Sequence, residues 1–332
     1  MSVGTVEGGI IHSDSLNQIG TSMIVPFAEY TYNENSQLST HNLCGGSIYN
    51  SYTYNNRNWV ENYGGNLISC GLEYNPNGNV NHQTITGDYQ SYLSDTKAFD
   101  MFYTYDQSNR LTNVQSQSER ICYEFTGTYI YDHDGNFISH YRSSNGDNLH
   151  YEYYSGTNRL KKIEGDDPEF TYYYNGNLLT DNTKSIYDIK YDSRNLITEF
   201  KRNVKDFAFK TEYKYDEAGN RTQKLTKYLD RTVIFGNWKP VKLELYSRDI
   251  SGKEIAVYEQ NLLEQEASVS QLNQQAQVSG NLGLKFYNVW GNSNEGQIYA
   301  DNTKYFYLKD HLGTVRAVYD VNLNIMSALR FW

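Results

Sequence analysis

The chain has 332 residues, of which 33 are Tyr, and its formal net charge at pH 7 is −10. This charge argues against a general nucleic-acid binder, because such a protein needs a basic surface that displaces counterions from phosphates. Only 38% of the residues are hydrophobic even when Tyr is counted, so aromatic rings must supply much of the buried surface. These values favour a thin layer of β-sheet with water on much of its surface.

Residues 1–29 are expected to form an incomplete repeat. The first four residues have neither the basic start nor the apolar segment of a secretory signal. The longest apolar stretch, Met23–Ala28, contains Pro26 and is far too short to cross a membrane. The sequence therefore predicts neither a signal peptide nor a membrane span in this chain.

From residue 30 to 235 the sequence repeats a short motif in which an aromatic residue, any residue and a Tyr lead into a polar turn. The Tyr at the second aromatic position of the nine units is Tyr32, Tyr54, Tyr74, Tyr105, Tyr131, Tyr153, Tyr172, Tyr191 and Tyr215, and two units, those of Tyr74 and Tyr191, lack the first aromatic residue. Such a period indicates a repeat architecture, in which each unit buries its apolar face against its neighbours. Strand-like alternation between the turns predicts β-hairpins, whose rings are expected to line up across neighbouring strands.

Two positions in each unit predict the hairpin turn. Seven of the nine units have Asn or Asp directly after the second Tyr, and these side chains hydrogen-bond to the backbone of a following turn. Four places after that Tyr, seven of nine units have Gly or Asn, which tolerate a positive φ angle. We call this Gly or Asn the pivot of the turn. In the unit Tyr151–Leu160 one extra residue moves the expected pivot to Asn158. The turn residues singled out are Asp106, Asn109, Asp132, Gly135, Asp216 and Gly219.

The turns are of two types, which alternate from the second unit to the ninth. The Asn-type pivots are Asn58, Asn109, Asn158 and Asn195, and they interleave with the Gly-type pivots Gly78, Gly135, Gly176 and Gly219. We therefore expect the structural unit to be a pair of hairpins rather than a single hairpin.

Residues 236–332 depart from the repeat but still predict strands. Val241–Tyr258 has the pattern of a hairpin around Ser251 and Gly252. Residues 262–279, which are rich in Gln, Ser and Ala, lack strand alternation and predict an insertion, either a short helix or a surface segment. Strands are expected to resume at Leu284–Tyr287 and to continue through Lys304–Asp320.

Two motifs resemble those of a known family. Tyr213–Arg221, which reads Tyr-Lys-Tyr-Asp-Glu-Ala-Gly-Asn-Arg, is similar to the YD repeat of the Rhs (rearrangement hotspot) family. Tyr305–Arg316 resembles the core motif that follows the repeats in that family. The resemblance covers roughly residues 30–332. The residues of the core motif are Asp310, His311, Leu312, Gly313 and Arg316.

The resemblance implies an all-β fold in which repeated β-hairpins form a large antiparallel sheet, wound into a spiral as an open part of a hollow shell. In full-length relatives the shell encloses a C-terminal toxin segment, so the implied partners are a toxin cargo and the remainder of the shell. The implied location of such a parent protein is secreted or at the cell surface. Because the chain stops at Trp332, where relatives usually continue into a Pro-x-Gly element, we expect a fragment of a shell.

The core motif is expected to have a structural role. Adjacent strand residues point to opposite faces, so Asp310 and His311 are not expected to act on one substrate. Asp310 and Gly313 instead predict a tight turn, with His311 and Arg316 bonded across strands. The sequence has no nucleophile elbow, phosphate loop or dinucleotide fingerprint. The chain is therefore predicted to be a non-enzyme without a cofactor.

No metal site is predicted. Asp132–Asn136 imitates the start of a calcium loop, but the Glu that completes an EF-hand is missing. The nearby histidines do not match a known zinc spacing; they are His133, His140 and His150.

The cysteines are too few and too irregular for a disulfide scaffold; they are Cys44, Cys70 and Cys122. Buried free thiols are expected. A bridge between Cys44 and Cys70 is the alternative.

Two functions remain open from the sequence. The first is a structural wall segment without catalysis, whose tyrosines form ladders of rings within the sheet. The second is a carbohydrate-binding module, in which exposed aromatic rings stack on the sugars of a cell-surface glycan. Besides Tyr, the rings available for such stacking are Trp59, Trp238, Trp290 and Trp332.

Overall fold

The computed structural model describes residues 4–6, 26–87, 99–118, 125–143, 146–164, 169–232, 236–262 and 281–328. Within these ranges the chain forms β-strands, and its helical segments are two short 3-10 turns at Cys44–Gly46 and Asn182–Lys184. The predicted all-β fold of antiparallel hairpins is confirmed. Cys122, Trp332 and nearly all of the insertion expected at residues 262–279 lie outside the described residues.

The strands follow one another with short connections. The first fourteen are β1 Gly4–Val6, β2 Ala28–Tyr32, β3 Leu38–Leu43, β4 Ile48–Tyr54, β5 Val60–Gly65, β6 Ser69–Tyr74, β7 Val80–Thr86, β8 Phe99–Tyr105, β9 Leu111–Ser118, β10 Thr126–Tyr131, β11 Phe137–Arg142, β12 Asp147–His150, β13 Glu152–Tyr153 and β14 Leu160–Lys162. The others are β15 Phe170–Tyr172, β16 Leu178–Asp181, β17 Ile186–Tyr191, β18 Ile197–Val204, β19 Phe207–Tyr215, β20 Arg221–Asp230, β21 Lys239–Arg248, β22 Glu254–Asn261, β23 Gly283–Trp290, β24 Asn294–Tyr299, β25 Lys304–Lys309, β26 Val315–Tyr319 and β27 Ile325–Ala328.

Strand order in space equals strand order in sequence. The sheets contain β1–β12, β13–β14 and β15–β27. The register shifts by one residue immediately before the second Tyr of a hairpin, as between Thr53 and Tyr54 or Lys214 and Tyr215. A bulge at this place is the usual partner of a turn that ends in a left-handed residue. The predicted hairpin around Gly252 is formed by β21 and β22.

The described residues divide into two compact units. Unit 1 lies within residues 1–130, 139–148 and 288–332. Its core is a cluster of buried apolar side chains from both ends of the sequence. Members from the first half include Phe27, Ala28, Leu43, Ile48, Tyr63, Ile85 and Met101, and members from the last strands are Phe306, Leu308, Ala317 and Tyr319.

Unit 2 lies within residues 131–138 and 149–287. Its sheet has rows of alternating charge across neighbouring strands. The pairs between strands include Lys227–Glu212 at 2.9 Å, Lys224–Glu244 at 2.8 Å, Lys242–Glu259 at 2.7 Å and Lys285–Glu259 at 2.9 Å. Lys210 also pairs with Glu212 within β19, at 3.0 Å. Opposite charges on directly opposed or diagonal strand positions stabilise a sheet, so these rows support strands that bury few aliphatic side chains.

The second Tyr of a unit joins its hairpin to the preceding one. In seven units its hydroxyl donates to the carbonyl of the first residue of the preceding return strand, at 2.5 to 2.9 Å. The pairs are Tyr54–Leu38, Tyr74–Val60, Tyr105–Val80, Tyr153–Phe137, Tyr172–Leu160, Tyr191–Leu178 and Tyr215–Ile197. Ring pairs such as Trp59–Tyr74, at 5.1 Å, add to this contact. The hydroxyl bond explains why the repeat uses Tyr rather than Phe.

Replacing Tyr215 by Phe is expected to lower the free energy of unfolding by about 1 kcal/mol, because the Ile197 carbonyl loses its donor. Denaturant unfolding followed by circular dichroism measures the change. Tyr174→Phe is the matched control, since the Tyr174 side chain is fully exposed. Equal effects of the two substitutions would contradict the role of the hydroxyl.

The tips of neighbouring hairpins are joined by two kinds of hydrogen bond. Asn side chains of Gly-type turns donate to the pivot-region Asn of the next turn, as in Asn79–Asn109 at 3.0 Å, Asn136–Asn158 at 3.0 Å and Asn177–Asn195 at 2.8 Å. Arg side chains of Asn-type turns donate to backbone carbonyls of the next Gly-type turn, as in Arg57–Pro76 at 2.7 Å, Arg159–Tyr174 at 3.2 Å and Arg194–Asp216 at 2.8 Å. In these examples the two kinds of bond between tips alternate along the array.

Candidate functional site

The hairpin tips share one geometry, which the turn at Asp106 illustrates. The Asp106 N–H donates to the carbonyl of Arg110, and the Asn109 N–H donates to the carbonyl of Asp106. One Asp106 carboxylate oxygen accepts the N–H groups of Ser108 and Arg110, each at 2.9 Å. These hydrogen bonds lower the pKa of Asp106. Asp132 and Asp216 cap their turns in the same way.

The pivot residues have a left-handed backbone. The φ angles are 60° at Asn109, 86° at Gly135 and 87° at Gly219. The prediction that Asn158 is the pivot of its unit is wrong, because the positive φ in that unit belongs to Gly156, at 71°. The extra residue there shifts the turn, since the Tyr154 N–H donates to the carbonyl of Arg159. Asn158 accepts the bond from the preceding tip instead of forming the pivot.

The core motif folds into the same turn between β25 and β26. The Asp310 N–H donates to the Thr314 carbonyl, and Gly313 has a φ of 84°. One carboxylate oxygen of Asp310 accepts the N–H groups of Leu312 and Thr314, at 3.0 and 2.9 Å. The other oxygen contacts the Arg316 guanidinium at 2.8 and 2.7 Å. Because Asp310 is buried, these contacts together hold the turn and the start of β26.

His311 and Leu312 occupy the tip of this turn. The imidazole of His311 packs against the ring of Tyr63, with centroids 5.2 Å apart. Burial lowers the pKa of His311, so the ring is neutral near pH 7. The Leu312 side chain is exposed. The motif therefore contacts β5 through an uncharged pair of rings.

The Arg316 side of the motif faces a buried polar network on β5–β8. Tyr103 donates to the Gln83 amide oxygen at 2.9 Å, and the Gln83 amide nitrogen lies 3.4 Å from the Tyr63 hydroxyl. Cys70 lies beside them, and burial raises its pKa to about 11. This thiol is therefore protonated near pH 7, unlike a reactive cysteine.

Cys44 and Cys70 are both free, so the alternative bridge between them is wrong.

A second polar cluster joins the last strands of unit 1 to β3, one of its first strands. Glu295 is 1% exposed. Its carboxylate lies 3.0 Å from the Lys309 ammonium and 3.2 Å from the His41 imidazole. The His41 ring is stacked on Tyr30, with centroids 4.9 Å apart. Burial alone would raise the pKa of Glu295, but His41 and Lys309 lower it to about 2.

Glu295 is expected to make the fold acid-sensitive. Its pKa is about 2, against 4.5 for an ordinary Glu, so its contribution is present above pH 4.5 and disappears as the pH falls towards 2. The melting temperature should fall more steeply between about pH 6 and about pH 2.5 in the natural chain than in Glu295→Gln, which does not titrate there. Parallel declines would contradict this assignment.

No group of three His, Cys, Asp or Glu side chains within the described ranges is placed to hold a metal ion. At the calcium-like segment, both oxygens of Asp132 accept hydrogen bonds from its own turn, including two from Asn136.

No helix in the described part of the chain is long and apolar enough to cross a membrane.

Comparison with known proteins identifies the fold. No family model and no curated protein match the sequence. A crystal structure of TcdB2-TccC3 matches 92% of the chain, with a TM-score of 0.65 and 15% identity. A mutant Tc holotoxin pore of Photorhabdus luminescens matches 93%, with a TM-score of 0.58 and 14% identity. The chain spans 16% and 15% of those two chains.

A third structure, TcdB2-TccC3 without its hypervariable C-terminal region, matches 92% of the chain with a TM-score of 0.57 and 14% identity. At these identities the likeness shows the fold alone. That fold is an Rhs/YD-repeat-like arrangement of antiparallel hairpins, as the sequence motifs predict.

Proposed function

We propose that the chain is a wall segment of an Rhs/YD-repeat shell, of the kind that encapsulates a C-terminal toxin. The observation that carries this proposal is the repeated connection between hairpins, in which the tyrosine hydroxyls of seven repeat units bond to the preceding hairpin. The likeness to TcdB2-TccC3 supports it. Because the same connection can be repeated, a sheet can be extended by one hairpin at a time into a continuous wall.

The core motif has a structural role in this proposal. Asp310 caps a turn and pairs with Arg316, and Glu295 pairs with Lys309 and His41. The chain performs no catalysis of its own. Its partners are the remainder of the shell and a toxin cargo, in a parent protein that is secreted or on the cell surface. A hydrolytic activity that disappears in a folded His311→Ala variant would contradict this role.

Limited proteolysis of the parent protein, produced from the native gene with its flanking coding sequence, tests encapsulation. A shell should protect a C-terminal segment from protease, and mild denaturation should make that segment accessible. The same segment expressed alone is the control, and it should be digested at once. Digestion of the segment at equal rates inside and outside the folded parent would contradict the proposal.

A further inference from the structure

A polar cleft of about 430 Å³ lies on β5–β7 in unit 1. Asn62, Gly71 and Thr84 face one another across these strands. Their strand neighbours Tyr63, Cys70 and Ile85 are buried in the core. Because side chains alternate between the faces of a strand, Asn62, Gly71 and Thr84 lie on the face opposite the core. The volume is within the range of small-molecule sites, about 300–1,000 Å³.

Gly71 forms the floor of this cleft. A glycine inside a strand marks a bulge, a bend or a place where another group approaches closely. The pairing of β6 with β7 is regular from Ser69 to Glu73, so Gly71 is not at a bulge. An added Cβ would have the Asn62 side-chain oxygen at 3.5 Å and the Thr84 Cβ at 3.9 Å as its nearest neighbours. The space above Gly71 is therefore open to a ligand.

The cleft wall includes the Glu73 carboxylate and the His82 imidazole, and Asp100 and Phe102 adjoin this wall through their contacts with His82. His82 lies between two carboxylates, 2.9 Å from Asp100 and 3.4 Å from Glu73. The Phe102 ring is 39% exposed and stacks on the His82 ring, with centroids 4.6 Å apart and planes at 6°. Carboxylates accept hydroxyl groups, and an exposed aromatic ring packs on the apolar face of a sugar. The negative charge disfavours anionic sugars.

The cleft continues towards the tip of the hairpins. A second cleft of about 470 Å³ shares Glu61 and Glu73 with the first and extends to the ring of Trp59. The two together accommodate a ligand longer than one sugar ring. Trp59 also supplies a fluorescent reporter at one end.

We propose that this cleft binds a neutral or amino oligosaccharide. Glu73 and His82 line the cleft, and Gly71 leaves room for a sugar ring. At the edge of the cleft, beside His82, Phe102 offers an exposed ring and Asp100 a carboxylate. This site does not depend on the proposed wall function, because it lies on the face of β5–β8 opposite the core of unit 1.

Saturation-transfer NMR and tryptophan fluorescence of the whole chain test the site, with lactose, cellobiose and chitobiose as probes and glucuronic acid as the anionic comparison. At least one neutral or amino probe should bind more tightly than glucuronic acid. Gly71→Val fills the cleft and should weaken this binding at least about tenfold, or 1.4 kcal/mol. Gly283→Val, at a strand glycine with open space around it, is the matched control and should leave binding unchanged.

Phe102→Ala removes an exposed ring, so it tests the site even where Gly71→Val fails to fold. It should weaken binding while the melting temperature stays unchanged. The proposal is overturned by a folded natural chain that binds none of the three probes. It is equally overturned by unchanged affinity in both folded variants, or by glucuronic acid binding as tightly as the best probe.

Discussion

Replacing Glu295 by Ala is expected to lower the free energy of unfolding by about 3–5 kcal/mol. The substitution removes the carboxylate that pairs with Lys309 and His41. Both partners are themselves largely buried, so the Lys309 charge is left in the interior without its counter-ion. Urea unfolding followed by circular dichroism measures the loss.

Glu217→Ala is the control for this substitution, because Glu217 is an exposed carboxylate at a hairpin tip. It should change stability by less than about 0.5 kcal/mol. A loss of similar size in both variants, or a loss below about 1 kcal/mol in Glu295→Ala, would show that the buried pair does not hold the last strands of unit 1.

Phe306→Ala is expected to cost about 3–5 kcal/mol, the range for deleting a buried aromatic side chain. Phe306 is 2% exposed, and its ring lies 4.4 Å from the ring of Phe27. The cavity would separate β25 from the segment that leads into β2. Hydrogen exchange should therefore accelerate at the amides of β2 and β3, together with a fall in the unfolding midpoint.

Phe102→Ala is the matched control for Phe306→Ala, since Phe102 is partly exposed on the opposite face of its sheet. It should leave the exchange of β2 and β3 unchanged. Protection of those amides that survives Phe306→Ala would mean that the core of unit 1 does not need the contact with Phe27.

The hairpins could be predicted from the sequence because their signals are local. An Asp caps the backbone two and four residues ahead, and the pivot needs a left-handed residue, so both appear at fixed spacing. The rule fails where spacing changes, as at Gly156 and Asn158. It also misses Ser36 and Leu323, which have φ angles of 60° and 63° although neither residue type favours them. At both places the pairing of the two flanking strands closes the turn.

The core of unit 1 could not be predicted, because its contacts join distant parts of the chain. Tyr32 and Asn292 are hydrogen-bonded across 260 residues. Neither Glu295 nor His41 belongs to a motif, and each resembles an ordinary surface residue in the sequence. The only local signal was the core motif itself, which identified β25 and β26 but not the strands they pack on. The direction of the tyrosine bonds likewise depends on neighbouring hairpins.

The two kinds of bond between hairpin tips restrict how such an array can grow or shrink. Loss of the hairpin that carries Gly176 would bring the tips at Asn158 and Asn195 together. Arg159 would lose the Tyr174 carbonyl, and Asn195 would lose the amide of Asn177. Removal of two successive hairpins restores the match. Gene duplication and recombination in these arrays should therefore add or remove hairpins in even numbers. In a library of deletion variants, soluble products should mainly be those that lack an even number of hairpins.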